Sequence, residues 1–468
     1  MSAGAPERSG FVIHPSVEHA PPIAVRAEGL YLYDEGGRRY LDGCSGAVTS
    51  NIGHGVPEVL EAMREQAATL TFAFRSQFGN RPADALAERL GELAPGSLRW
   101  LFLVNSGSEA TELAAKMALQ HWQERGRPEK THVLSRRISY HGITLGALSM
   151  SGHALRRSRF ETLLAKDAQV ATPYCLRCPL GLAYPSCALA CADDLQARID
   201  ALGAENVAAF IAEPVVGASG AAITPPRAYY ARIRAICDAN EVLFIADEVM
   251  TGMGRTGAMF AVEHYPAVEP GPDREPTGEL VPDLLVLGKG LGAGYTPVSA
   301  VLATDEVMEP IRRGSGSVLY GHTLSFNPLS AATALAVLDY VENHHLVENA
   351  RERGEQLMNA LNALATRHPI VGDVRGLGLL AGLELVADGA LAPFSPEANV
   401  TGRLVRHALE RGLLIYPAAG ALEGAGDAVM IAPPLTIGAA EVDTLVGMVD
   451  GALSALEREL GAPAPRPT

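Results

Sequence analysis

Residues 284–292 read LLVLGKGLG, and residues 242–248 read VLFIADE. Each is a short apolar run that stops abruptly at a chemically able side chain. A third run, VAAFIA at 207–212, stops at Glu213-Pro214. Runs this short and this uniformly apolar suit strands buried on both faces. A helical pattern over Pro226–Asn240 separates two of them. Strand–helix alternation of this kind predicts an α/β fold with a mostly parallel sheet between helices. Trp100–Val104, a pattern near 131–135 and Ser299–Leu302 extend the same sheet.

Outward from this centre the texture changes. LYLYDEGGRRYL, from Leu30 to Leu41, reads as a hairpin around Gly36-Gly37. Helical patterns follow at 56–70, 82–94 and 108–122. Beyond residue 330 come one long helical stretch over 328–366, strands at 371–374 and 378–385, a helix at 398–411, strands near 413–416 and 428–432, and a helix at 438–460. The expected division is a large domain over 51–330 and a smaller α+β domain over 331–468, joined by the N-terminal segment 1–50. Residues 1–20 read as an arm, and residues 263–282 as an exposed loop.

Composition narrows the function. The chain has 468 residues, 48% of them apolar and 19% charged, which is ample for a core. The formal charge of −15 argues against nucleic acid or an anionic membrane as the main partner. No apolar run reaches the ~18–20 residues of a membrane span. The opening MSAGAPERSG lacks a basic segment followed by an apolar one, so no secretory signal is expected and a cytoplasmic location is.

Ligands of α/β sheets sit at the carboxyl ends of strands, so the residues there carry the argument. Asn105-Ser106-Gly107-Ser108-Glu109-Ala110 follows a strand and opens a helix. Free N–H groups, the positive dipole end and two hydroxyls make a phosphate cradle; an ordinary Ser N-cap would look similar. Ser139-Tyr140-His141-Gly142 offers a ring to stack on a flat ligand, or a buried turn pair. Glu213 and Asp247 are carboxylates at the ends of apolar strands and need partners there. Gly252-x-Gly254-Arg255-x-Gly257 is glycine-rich but lacks the strand–turn–helix spacing of a dinucleotide fingerprint. Lys289 is one of only four lysines in the chain. It follows an apolar strand, and burial there would favour the neutral, nucleophilic amine. A phosphate cradle, a stacking ring, a carboxylate for a ring nitrogen and an amine for an aldehyde are the four handles of pyridoxal 5′-phosphate (PLP).

With these residues in view, the chain resembles the class III aminotransferases, PLP enzymes of fold type I. NSGSEA at 105–110, SYHG at 139–142, EP at 213–214, ADEVMTGMGRTG at 246–257, PDLLVLGKGLG at 282–292, YGHTLSFNPLS at 320–330 and APPL at 432–435 carry the resemblance. It implies a large domain with a seven-stranded, mostly parallel sheet and a homodimer with shared active sites. Lys289 would hold PLP and move the substrate proton. Asp247 would pair with the pyridine nitrogen. Gly107 and Ser108 would bind the phosphate. Tyr140 would stack on the ring with His141 beside it, Val249 would pack on the other face, and Glu213 would lie near the hydroxyl. Thr323 would reach the phosphate of the neighbouring subunit. The implied reaction moves an amino group, by a ping-pong route, from an amine or amino acid to a 2-oxo acid, with ω-amine donors favoured. A racemase or aminomutase on the same fold would use the same Lys289 and Asp247.

Two departures bear on substrate. Ala47 and Val48 follow the Asp42-Gly43-Cys44-Ser45-Gly46 element where relatives often have an aromatic residue. No Arg lies between Arg411 and Pro433, where many relatives place a mobile carboxylate-binding Arg; Arg75, in FAFRSQF at 72–78, is a candidate replacement, acting from the partner subunit. Separately, Cys175, Cys178, Cys187 and Cys191 lie within seventeen residues, outside the family pattern. Such spacing suits a structural metal, packed thiols or labile disulfides, and no metal ligand is assigned among them.

Overall fold

The computed structural model describes residues 12–14, 21–166, 169–268, 277–420, 422 and 424–461. Most of the arm expected at 1–20 lies outside the described residues. The central sheet has seven strands: β1 Trp100–Val104, β2 His132–Arg136, β3 Gln169–Val170, β4 Val207–Ala212, β5 Leu243–Asp247, β6 Leu284–Leu287 and β7 Ser299–Ala303. Their order is β1-β7-β6-β5-β4-β2-β3. β7 runs antiparallel to β6 and β1, while the β6–β5, β5–β4, β4–β2 and β2–β3 pairs are parallel. Six strands therefore share one direction and end on one edge.

The apolar runs are buried because both sheet faces are covered. β4, β5 and β6 are buried along their whole length. One core cluster gathers Phe210, Phe244, Leu285 and Tyr230 on one face; another gathers Ile211, Ile245, Val286 and Trp122 on the opposite face. The second face belongs to helix α1, Gly107–Glu124.

The N-terminal strands Ala24–Glu28, Tyr31–Asp34 and Arg39–Asp42 form a sheet closed by Leu413–Leu414, which pairs in parallel with Leu41 and Asp42. Four more strands, Val371–Leu377, Leu380–Leu385, Asp427–Ile431 and Tyr416–Pro417, make an antiparallel sheet.

Two expectations need correction. The helical stretch at 328–366 is two helices, α2 Pro328–Asn343 and α3 Leu346–Arg367. The break falls at His345, whose φ of 52° is left-handed. No Gly or Pro marks it. The loop expected at 263–282 contains a short antiparallel pair, Pro266–Val268 with Thr277–Glu279.

Arg255 ties these parts together. It is fully buried and donates to the carbonyls of Leu379 (2.9 Å) and Pro433 (2.6 Å) and to Asn51 Oδ1 (2.8 Å) and Ser45 Oγ (3.2 Å). Burial pulls its pKa down to about 9, with Asp42 opposing. The GMGRTG loop is therefore a clamp between the N-terminal segment and the last sheet. That clamp holds Ser45, two residues before Ala47, whose carbonyl accepts from the Lys289 amine.

Candidate active site

The shared carboxyl edge of the sheet gathers a cavity of about 210 Å3. Gly107, Ser108, Tyr140, His141, Glu213, Asp247, Val249 and Lys289 line it, all eight of them expected from sequence. Gly142, Ala218, Met250 and Thr251 complete the wall. Thr323 does not line it. It is exposed, on a loop whose His322 Nε2 stands 3.4 Å from Glu109 Oε2 at the start of α1.

The cradle is built by capping. Ser106 Oγ accepts from Glu109 N (3.3 Å), and Glu109 Oε2 accepts from Asn105 N (2.9 Å) and Ser106 N (3.0 Å). The next N–H groups, of Gly107 and Ser108, lead the helix and have no intrahelical acceptor. They stand at the dipole's positive end, suited to an anion. Glycine is required twice here. A Cβ on Gly107 would stand 2.9 Å from Val249 Cγ1, and one on Gly142, where φ is +133°, would stand 2.5 Å from Ser108 Oγ.

Asp247 closes β5. Its Oδ2 lies 2.7 Å from His141 Nδ1, and its Oδ1 accepts from Val249 N at 3.1 Å. Both side chains are buried, and His141 Nε2 has no partner. Glu213 is fixed by Tyr140 N (3.0 Å) and Gly217 N (3.0 Å), and burial raises its pKa. The Glu213 carbonyl accepts from Arg136 and Tyr230 behind the site. Glu248, the neighbour of Asp247, points away from the cavity. It accepts from Ala261 N (2.7 Å), Val262 N (2.8 Å) and Thr251 Oγ1 (2.9 Å), and burial pushes its pKa up to about 7.

Lys289 has a φ of +39°, a left-handed turn directly after β6. Its Nζ donates to Ala47 O at 2.7 Å. Burial lowers its pKa to about 8, against the raising effect of Asp247 and Glu213. At neutral pH about a tenth of this amine is therefore unprotonated, far more than in a free lysine. An amine, a buried carboxylate and a helix-end anion cradle surround one cavity, with a ring along its wall. The orphaned His141 nitrogen and the two glycines that hold the space open fit a flat phosphorylated aldehyde.

A family model described as aminotransferase class-III matches residues 12–453. The chain belongs to the class III aminotransferases. It is 46% identical over 454 residues to an uncharacterised aminotransferase, YodT, of Bacillus subtilis (strain 168), covering 97% of this chain and 99% of that one. It is 33% identical to the putrescine–pyruvate aminotransferase of Pseudomonas aeruginosa (strain PAO1), over 92% of this chain and 90% of that one. A PLP-bound amine transaminase from an uncultivated Pseudomonas species superimposes with a TM-score of 0.88 at 34% identity, covering 96% and 99% of the two chains. The fold is that of the fold type I transferases, the cofactor is pyridoxal 5′-phosphate, and the reaction is amino-group transfer. Nothing in these likenesses favours a racemase or aminomutase.

The structure does not bring Arg75 to the cavity of its own chain. Its Nη2 donates to Tyr320 O (2.9 Å) and its guanidinium lies 5.5 Å from the Phe102 ring. A different arginine stands at the site: Arg156 lies over the ring of Tyr140. Sequence reasoning missed it because ALRR at 154–157 reads as an ordinary surface turn.

All six cysteines are free thiols. Cys175, Cys178, Cys187 and Cys191 line one small cavity of about 10 Å3 with Tyr174 and Leu189. Among the described residues, no group of three or more His, Cys, Asp or Glu is set to hold a metal ion. No described helix is long and apolar enough to cross a membrane.

Proposed function

We propose that the chain transfers an amino group from an ω-amine or ω-amino acid to a 2-oxo acid, with both half-reactions at one site. The observation that supports this most is the amine of Lys289 beside the buried Asp247–His141 pair in one cavity. PLP, when bound, supplies the electron sink for breaking the bond to the substrate's α-hydrogen. Lys289 holds the cofactor and carries that proton. Asp247 holds the ring nitrogen, and His141 fixes the orientation of Asp247. The N–H groups of Gly107 and Ser108 take the phosphate. Tyr140 and Val249 enclose the ring, and Glu213 lies on its hydroxyl side. The ω-donor preference draws on the similarity to a putrescine–pyruvate aminotransferase; Ala47, whose carbonyl accepts from the Lys289 amine, carries only a methyl group.

The test is the visible spectrum of the pure protein before and after a panel of diamines, ω-amino acids and α-amino acids. A yellow band bleached fastest by ω-amines, and restored by pyruvate, is the expected result. Bleaching by α-amino acids alone would overturn the donor class. No band after PLP is supplied would overturn the site.

We further infer a homodimer in which Thr323 serves the neighbouring site. Phe72, Phe74, Phe78, Leu319 and Leu324 are exposed, on two segments that lie side by side. The segments carrying them are tied by Arg75 to Tyr320 O (2.9 Å) and Asn327 to Thr71 O (3.4 Å). An apolar face of this kind on a soluble domain marks an interface. Light scattering should give twice the chain mass, and Phe78→Asp should give the chain mass alone; a wild-type monomer would reject the dimer. The free thiols favour the reducing cytoplasm as the location.

A further inference from the structure

Tyr140 is covered on its outer side by Arg156. The guanidinium carbon lies 4.5 Å from the ring centroid, and Nη1 lies 3.3 Å from the phenol oxygen. The short helix Ala154–Arg157 that carries it is pinned by the next residue. Arg157 Nη1 donates to the carbonyls of Leu148 (2.9 Å), Ser149 (3.0 Å) and Ser151 (2.7 Å), and Arg157 also pairs with Glu161. Arg157 is thus spent on the backbone and on one carboxylate. Arg156 makes no ion pair among the described residues. A guanidinium has five N–H donors, and among the described residues only one hydrogen bond of this one, to a neutral phenol, is present.

His153 stands edge-on to Tyr140, with ring centroids 6.1 Å apart, and burial lowers its pKa to about 4. The Arg156 charge reaches the Lys289 amine, where it acts to lower the pKa. Asp247 and Glu213 face the same amine but are engaged by His141, Val249, Tyr140 and Gly217. A second cavity of about 580 Å3 opens alongside, lined by His153, Ala154 and Ser219 and by the charged Arg137, Arg157, Glu161 and Arg177, while Ala218 lines the first. Arg156 thus follows the second cavity's wall at Ala154 and covers Tyr140 of the first cavity's wall, an unpaired planar cation over the stacking ring whose charge reaches the reactive amine.

We propose that Arg156 binds the substrate carboxylate, so that this chain takes carboxylate-bearing acceptors and amino-acid donors through it. A planar guanidinium meets a carboxylate with two parallel N–H···O bonds, and Arg suits this role where Lys does not. The proposal rests on the aminotransferase reading above. It stands as the alternative to Arg75 of the partner subunit, the carboxylate ligand expected from sequence.

The experiment separates the two half-reactions in the PLP-loaded enzyme. Wild type, Arg156→Gln, Arg156→Lys and Arg75→Gln are each bleached with a diamine that carries no carboxylate. Each is then restored with pyruvate or with propanal, which lacks the carboxylate. For Arg156→Gln the expected result is a KM for pyruvate raised about 30-fold, with propanal and diamine kinetics within about twofold of wild type. Arg156→Lys keeps the charge without the fork and should fall between. Equal losses for pyruvate and propanal would overturn the proposal and leave Arg156 as a support for Tyr140. A pyruvate-specific loss in Arg75→Gln but not in Arg156→Gln would overturn it in favour of Arg75. Failure of wild type to be bleached by any amine would instead reject the aminotransferase reading, so the two failures are distinct.

Discussion

Replacing Lys289 with alanine should lower amino-group transfer by about 10^4-fold or more, because it removes both the covalent hold on the cofactor and the proton carrier. No other lysine can stand in. Lys130 is buried at the opposite end of β4, donating to Ala204 O (2.8 Å), Val207 O (3.0 Å) and Glu241 O (2.7 Å). Lys116 lies on the surface of α1 near Glu112, and Lys166 is exposed. Lys289→Arg should be equally inactive, since a guanidinium does not lose its proton near neutral pH. The loss should not come from unfolding. The Lys289 amine makes one hydrogen bond among the described residues, to Ala47 O, and its burial opposes its charge, so alanine should leave the thermal midpoint within a few degrees of wild type. Product formation from an amine and an oxo acid, followed with a thermal melt, checks both statements. Residual turnover above about 1% of wild type would move the chemistry to another residue. In the protein freed of cofactor, modification of this amine by an amine-selective reagent should rise with pH through a midpoint of about 8. The sign follows from the cause: burial favours the neutral form, so the reactive form is reached at lower pH than for a free lysine.

How much of this was legible follows from what each residue signals locally. β4, β5 and β6 are uniformly apolar because helices cover both faces, and the abrupt polar residue after each run marks the sheet's ligand edge. Glu213, Asp247 and Lys289 were readable for that reason. Gly107 and Ser108 were readable because a capping box announces a helix start. Arg255 was not. Its GMGRTG setting signals a flexible loop, and only the fold brings the carbonyls of Leu379 and Pro433 around it. The break at His345 was hidden because it occurs at a left-handed His with helix-forming residues on both sides. Arg156 was hidden for a third reason. Its role depends on Tyr140 lying beneath it and on Arg157 taking the local carbonyls, and neither is a property of ALRR.

Asp247→Asn should lower turnover by about 10^2- to 10^3-fold, the range typical of losing one preorganised electrostatic group at a reacting centre. The change is nearly isosteric, and the side chain keeps its place at the end of β5, with Val249 N still able to bond the amide oxygen. Stability should hold or rise, because a buried carboxylate without a full counter-charge is costly. What disappears is the negative charge that would hold a proton on the ring nitrogen and that faces His141. Lys289 provides an internal control. Asp247 raises the Lys289 pKa, so removing its charge lowers that pKa further. A lower pKa leaves more neutral amine at any given pH, and the lost rate cannot then be assigned to a protonated Lys289. Two readouts therefore move in opposite directions in this variant: turnover falls, while amine reactivity at pH 7 rises in the cofactor-free protein. Turnover within tenfold of wild type would remove Asp247 from the chemistry. A fall in both readouts together would mean instead that Asp247 acts by holding Lys289 and the cavity in shape.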